Sequence, residues 1–199
     1  AVPAEKIDAF LVSKAEFILN AQKKFALQEQ YKPQPKQYIS GETFYLQGRA
    51  LRLKVIRASK EQLYSDGVHL FLEVKDPQDF SKKERMVMRF FDRECKEVFG
   101  EIVEELYPVF QKYGVAVPSL RIRSMDTRWG SCLPGKGVIT LNKRLLEAPR
   151  NCIEYVVMHE LCHFIHPNHS KHFYAFLSML MPDWKERKKV LDANDTYYL

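Results

Sequence analysis

Apolar positions along the chain switch period several times, and each switch marks an expected element. Residues 4–30 place Ile7, Phe10, Leu11, Phe17, Ile18 and Phe25 at helical spacing on a polar background, which predicts one or two amphipathic helices. Tyr31-Lys32-Pro33-Gln34-Pro35 cannot continue them, because proline lacks the amide donor and clashes with the preceding turn. From Gly41 to about Val74 the period becomes close to two, through Phe44, Leu46, Leu51, Leu53, Val55, Leu63, Val68, Leu70 and Leu72. Turn signals at Gly48 and Asp66-Gly67 interrupt it, so a small antiparallel sheet is expected. Helical spacing returns between Ser81 and Tyr113 (Met88, Phe91, Cys95, Val98, Phe99, Ile102, Leu106, Phe110) and stops at Gly114, as for one long helix.

Leu120 to Asn142 alternates again and turns at Pro134-Gly135-Lys136-Gly137, the pattern of a hairpin. Asn151 to about Ile165 reads as a helix with Asn151 at its N-cap and Glu154 three residues later, as in a capping box. A last periodic stretch from about Ser170 to Met181 carries Phe173, Phe176, Leu177 and Leu180 on one side. These boundaries divide the chain into a helical segment at 1–40, a small β lobe at 41–78 and a helix, hairpin and helical core at 79–199, within one compact domain overall. No internal repeat or low-complexity segment is present.

Chemistry concentrates in the second half of the helix expected after Asn151. His159-Glu160-Leu161-Cys162-His163 sets two histidines four residues apart, one turn along and about 40° around, so both imidazoles share a helix face within reach of one ion. Glu160 lies beside that face, where a carboxylate can accept a proton from a water bound to the metal. Zinc supplies the rest, lowering the pKa of that water from about 15.7 towards about 7. The bare motif is only moderately specific, and a structural histidine cluster is the competing reading. Context favours the metal: the motif lies in an apolar-periodic helix, and five of the six histidines fall between residues 159 and 172.

Three histidines compete to be the third ligand. His166 shares the face of His159 and His163, but seven residues correspond to about 10.5 Å of rise, awkward for one tetrahedral centre. His169 follows the Pro167-Asn168 break, where the chain can turn back beneath the ion, and is favoured. His172 at the start of the next helix is the runner-up. Asp126, Asp183 and Asp192 are candidates to accept the second N–H of a ligand imidazole.

Beyond the motif, Gly41-Glu42-Thr43-Phe44-Tyr45-Leu46-Gln47-Gly48, Arg128-Trp129-Gly130-Ser131-Cys132, Ile139-Thr140-Leu141-Asn142 and Asn168-His169-Ser170 together make a specific combination. With these residues the chain resembles the YgjP-like metallopeptidase-domain family, relatives of the SprT and WLM zinc proteins. The resemblance covers most of residues 41–177. It implies an α+β fold: a minimal zincin (gluzincin-like) core in which an active-site helix and flanking helices pack on a small antiparallel sheet. It also implies one Zn2+ per chain on His159, His163 and His169, with Glu160 as general base. Cys162 departs from the small or apolar residue expected inside the motif, and thiolate ligation by it is a minor alternative.

Composition narrows the partners. A chain of 199 residues, 46% hydrophobic, can bury one good core. The four cysteines, Cys95, Cys132, Cys152 and Cys162, show no paired spacing and fit reduced thiols in a cytoplasm. No apolar run of membrane-spanning length occurs, and the start does not read as a signal segment, so a soluble protein without a membrane role is expected. A net charge of +6 and a pI near 9.0 raise the odds of an anionic partner, nucleic acid included. Basic residues cluster between 121 and 150, where Arg121 and Arg123 would share one strand face; this is a solvated face or an anion site near the zinc.

Arg128, Trp129, Gly130 and Ser131 could form a strand bordering the cleft, pairing with an extended substrate, although packing of Trp129 over Gly130 is an equal explanation. Three functions follow. The first is a zinc metallopeptidase with water activated by Glu160. The second is a zinc-dependent hydrolase of nucleotide phosphoanhydrides, with the basic cluster holding phosphates. The third is a nucleic-acid-associated protein with structural zinc.

Overall fold

The computed structural model describes residues 35–194 continuously and, before them, residues 3, 6, 8, 10–17, 19 and 22. Residues 1–35 form one compact unit and residues 36–194 another. In the first, residues 10–17 are helical, with Phe10, Leu11 and Phe17 exposed. Much of the helical stretch expected there and the proline break at 31–34 lie outside the described residues.

The second unit opens with a four-stranded sheet: β1 (Thr43–Leu46), β2 (Arg49–Arg57), β3 (Gln62–Ser65) and β4 (His69–Val74), in the order β1-β2-β4-β3. A helix, α1 (Phe80–Leu106), and a short one, α2 (Pro108–Gln111), follow. The second sheet has three strands, β5 (Ser119–Arg123), β6 (Gly130–Leu133) and β7 (Val138–Asn142), in the order β5-β7-β6. The chain ends in α3 (Arg150–Cys162), α4 (Lys171–Leu180) and α5 (Trp184–Asn194). The architecture is α+β, with two small sheets and packed helices.

Neither sheet is purely antiparallel, which corrects the sequence expectation. β2 runs parallel to β4 and β5 parallel to β7; only β1–β2, β3–β4 and β6–β7 are antiparallel. Strand direction leaves no trace in alternation, because side chains change faces at every residue in either case. The Asp66-Gly67 turn sends β4 back inside β3, so β4 meets β2 in parallel. The expected hairpin likewise exists only as β6–β7.

Pro108 splits the helix expected over Ser81–Tyr113, and Gly114 ends the second piece at φ 76°. Asp79 caps α1 by accepting from the Lys82 amide at 2.9 Å. Its 27 residues span about 40 Å, enough to serve two cores. Val87 and Phe90 pack with Leu51, Leu53, Leu70, Leu72 and Val74 beneath the four-stranded sheet. Val98, Phe99 and Ile102 pack one or more turns further on with Ile139, Leu141, Ile153, Val157 and Phe173.

The β1–β2 turn ties the two regions together. Gln47 and Gly48 both have positive φ, as a two-residue hairpin turn matching strand twist requires. Their amides donate to the Leu146 and Glu147 carbonyls at 2.8 and 2.9 Å, just ahead of α3. A Cβ on Gly48 would come within 2.9 Å of the Pro149 ring, so this docking needs glycine. The start of α3 also differs from expectation. Pro149, not Asn151, holds the N-cap, and Glu154 pairs with Arg150 and Arg187 rather than closing a capping box.

Candidate metal centre

Helix α3 is buried on nearly every side, with Ile153, Val156, Val157, Leu161 and Cys162 all inside the core. His159 and His163 stand one turn apart at its C-terminal end, with ring centroids 4.9 Å apart. The helix then tightens. The His163, Phe164 and Ile165 amides each bond three residues back, and the chain reverses through Pro167 and Asn168. Ser170 caps α4, its hydroxyl accepting from the Phe173 amide, and this places His169 directly before the new helix.

The reversal brings His169 back to the pair on α3. Its Nε2 lies 2.9 Å from His159 Nε2, and one ring nitrogen from each of the three histidines falls within 4.8 Å of the other two. Phe173, wholly buried, packs its ring 4.7–4.9 Å from all three imidazoles and forms the floor of the cluster. His166 and His172 stack on each other outside the cluster, so neither joins it.

Two of these imidazoles, His159 and His163, are held neutral. Burial, then the adjacent His163 and His169, bring His159 down to about 3, and burial chiefly lowers His163 as well. A neutral imidazole offers a lone pair, which is what a cation needs. His163 Nδ1 lies 3.2 Å from the His166 carbonyl oxygen, an acceptor for its N–H that leaves Nε2 free towards the cluster. His159 Nδ1 is buried without a hydrogen-bond partner. Asp183 pairs instead with Arg187 and Asp192 with Lys188. Cys162 is fully buried and stands outside the ligand group, burial pushing its thiol up to about 12. Three convergent ring nitrogens over an apolar floor fit a metal ion.

Glu160 is buried to 6% exposure beside the ligands. Burial pushes its carboxyl up to about 8, opposed by the Arg128 guanidinium. It lies against Gly130, the first residue of β6: a Cβ there would stand 2.7 Å from Glu160 Oε1 and 2.9 Å from Cγ. Glycine at 130 is thus required by the carboxylate, not by Trp129. The Trp129 ring instead lies against the Arg144 guanidinium at 5.7 Å.

Two cavities meet at this carboxylate. One of about 450 Å³ is lined by Arg128, Gly130, Ser131, Cys132, the three histidines and Glu160. The other, of about 200 Å³, runs past Arg128, Trp129 and Gly130 towards Tyr155, Lys188 and Leu191. The sequence-selected run from Arg128 to Ser131 therefore borders the histidine cluster. Arg121 and Arg123 do not. They project from β5, the opposite edge of the three-stranded sheet, and line neither cavity.

Two supporting residues escaped the sequence reading. Phe173 looked like ordinary core, and only its spacing from Ser170 hinted at a place beneath the ligands. Asn142, 2% exposed, donates through Nδ2 to the Met125 and Arg128 carbonyls at 2.7 and 3.0 Å, while its own amide donates to Trp129. It fixes the loop that delivers Arg128 and Gly130. A polar residue closing an otherwise apolar strand, Val138-Ile139-Thr140-Leu141-Asn142, was the available signal.

The model of the YgjP-like metallopeptidase domain matches residues 1–194. The chain belongs to that family. Membership supports a metal-dependent hydrolase of peptide bonds. No curated protein sequence matches the chain. Among solved structures it is similar to the metallopeptidase zymogen abylysin of Pyrococcus abyssi, at 20% identity over 50% of this chain and 93% of that one, with a TM-score of 0.43. It is also similar to the metallopeptidase zymogen jannalysin of Methanocaldococcus jannaschii, at 22% identity over 48% and 88%, with a TM-score of 0.41. No helix among the described residues is long and apolar enough to cross a membrane.

Proposed function

We propose that the chain is a zinc metallopeptidase with a zincin-like core, in which His159, His163 and His169 hold one Zn2+ and Glu160 is the general base. The convergence of three histidine ring nitrogens next to a buried carboxylate carries this reading. An all-imidazole donor set suits zinc better than magnesium or calcium, which prefer oxygen. When bound, zinc acidifies water and polarises the carbonyl under attack. Glu160, which lines both cavities beside the three histidines, takes the proton of the attacking water and delivers it to the departing amine nitrogen.

β6 supplies the substrate rail. It pairs with β7 on one side only, so the main chain of Gly130–Leu133 offers hydrogen bonds to an extended peptide on the other. Arg128 stands where the two cavities join, and there it can neutralise charge developing on the carbonyl oxygen. The competing reading, hydrolysis of a nucleotide phosphoanhydride, draws on the same Arg128. The separation of Arg121 and Arg123 from both cavities weakens it.

Metal analysis joined to a cleavage screen tests the proposal. One zinc per chain, lost in His169→Ala and kept in Glu160→Gln, is expected. Peptide cleavage by the wild type should fall about 10²- to 10⁴-fold in Glu160→Gln, the range for loss of a general base. Release of phosphate from nucleoside triphosphates with peptides left intact would transfer the site to the alternative.

A further inference from the structure

The outward face of the four-stranded sheet plays no part in the metal centre. Leu51, Leu53, Leu70 and Leu72 point inward under α1, so the alternate residues point away. The register sets Arg52 opposite His69, and Lys54 opposite Phe71, with Tyr64 on the far side of Phe71. The Phe71 and Tyr64 rings stack at 5.1 Å and 16°, His69 lies 5.7 Å from Phe71, and Lys54 Nζ sits 5.3 Å over the Phe71 ring. Tyr64 is 42% exposed.

Cross-strand ring pairs do stabilise sheets. That accounts for the Phe71–Tyr64 contact but not for the cations beside it. β2 carries no acid, and Arg52 and Lys54, its two cations on this face, make no ion pair among the described residues. The acids nearest the rings are engaged: Glu73 accepts from Gln62 and Tyr64, and Asp66 from the Val68 and His69 amides. A partly exposed aromatic row flanked by unpaired cations is suited to a polyanion that also has flat apolar faces.

We propose that this face binds single-stranded nucleic acid, with bases stacking on Tyr64 and Phe71 and phosphates meeting Arg52 and Lys54. The rings select a single strand over a duplex, in which each base is already covered by its neighbours. The net charge of +6 draws the strand in.

Fluorescence anisotropy tests this on the full chain, with labelled 15-nucleotide oligothymidylate and oligouridylate at several salt concentrations, and with a DNA duplex and polyglutamate as competitors. Binding of either strand is expected, weakening with salt with a slope of about −0.7 per phosphate contacted. Arg52→Gln/Lys54→Gln, altering two exposed side chains, should flatten that slope by about 1.4. Tyr64→Ala/Phe71→Ala should weaken binding tenfold or more and leave the slope unchanged; Phe71→Leu, which keeps an apolar side chain in the sheet, should weaken it less. Zinc content and thermal unfolding report folding of each variant. Failure of both strands to bind at the lowest salt, full affinity in the Arg52/Lys54 variant, or equal competition by duplex or polyglutamate would overturn the proposal.

Discussion

The two cores strung along α1 are built to different rules. Beneath the four-stranded sheet, Leu51, Leu53, Leu70, Leu72 and Val74 meet Val87 and Phe90 in an apolar layer. Around α3 the packing is just as tight, yet Asn142 and Glu160 are buried within it and three histidines converge at its edge. Buried polar groups cost stability unless they are partnered, so the second region gives up stability that the first keeps. His159 Nδ1, buried without a hydrogen-bond partner, and Glu160, whose carboxyl burial pushes up to about 8, are where that cost is visible. The first region buries one charged side chain, Lys83, one turn before Val87 on α1, and is otherwise apolar; the second sets a buried carboxylate beside three convergent histidines.

Substitutions on the two sides should therefore fail in different currencies. The largest effect is expected at the contact between Gly130 and Glu160. Gly130→Ala should displace the carboxylate and lower peptide turnover on the order of 10²-fold. Zinc content and the melting temperature should stay near wild type, as metal analysis and calorimetry would register.

Truncations of two fully buried side chains make the next pair. Phe173→Ala should cost about 3–5 kcal/mol and weaken zinc binding as well, because its ring supports all three ligands. Leu72→Ala should cost a comparable amount, about 2–5 kcal/mol, without changing zinc affinity. Denaturant unfolding beside a chelator competition assay separates them. Equal zinc affinity in both variants would erase the distinction between the cores. Asn142→Ala should cost less than either, about 1–3 kcal/mol, through the carbonyls of Met125 and Arg128 that lose their donor, with reduced turnover from a loosened Arg128 loop.

The smallest effects are in pH. Burial pushes the Glu147 carboxyl, beside α3, up to about 7 from the ordinary 4.5 of a free glutamate. The folded state therefore holds the proton more tightly than the unfolded one, and stability should fall as pH rises from 4.5 to 7. Glu147→Gln should flatten that fall. Asp66, at the β3–β4 turn, is opposite in sign: bonds from the His69 and Val68 amides hold its carboxyl at about 2, below 3.8. Its contribution is present above pH 3.8 and disappears on acidification towards 2, and Asp66→Asn should remove that acid-side loss. Urea titrations across pH 2–8 would read both.

Much of the second region was legible in the sequence because its chemistry is local. His159, Glu160 and His163 are fixed by one helix, and the Pro167-Asn168 break singles out His169. What could not be read depends on contacts distant in sequence. Gly130 meets Glu160 across thirty positions, and Asn142 reaches back to Met125. The parallel pairings β2–β4 and β5–β7 were missed because alternation is blind to direction. Pro108 was passed over because apolar spacing continues through it to Phe110. The Arg121 and Arg123 pair was correctly assigned to one strand, but nothing local says which edge of the sheet that strand occupies.

The central claim is that Glu160 drives water onto a peptide carbonyl at a zinc held by His159, His163 and His169. Cleavage of an unstructured peptide library in ¹⁸O-labelled water, followed by mass spectrometry, measures it directly. Protein carrying one zinc per chain should create new termini whose carboxylates each contain one ¹⁸O, and Glu160→Gln with the same zinc content should create almost none. An intact library in the presence of fully zinc-loaded protein, or equal cleavage by Glu160→Gln, would contradict it.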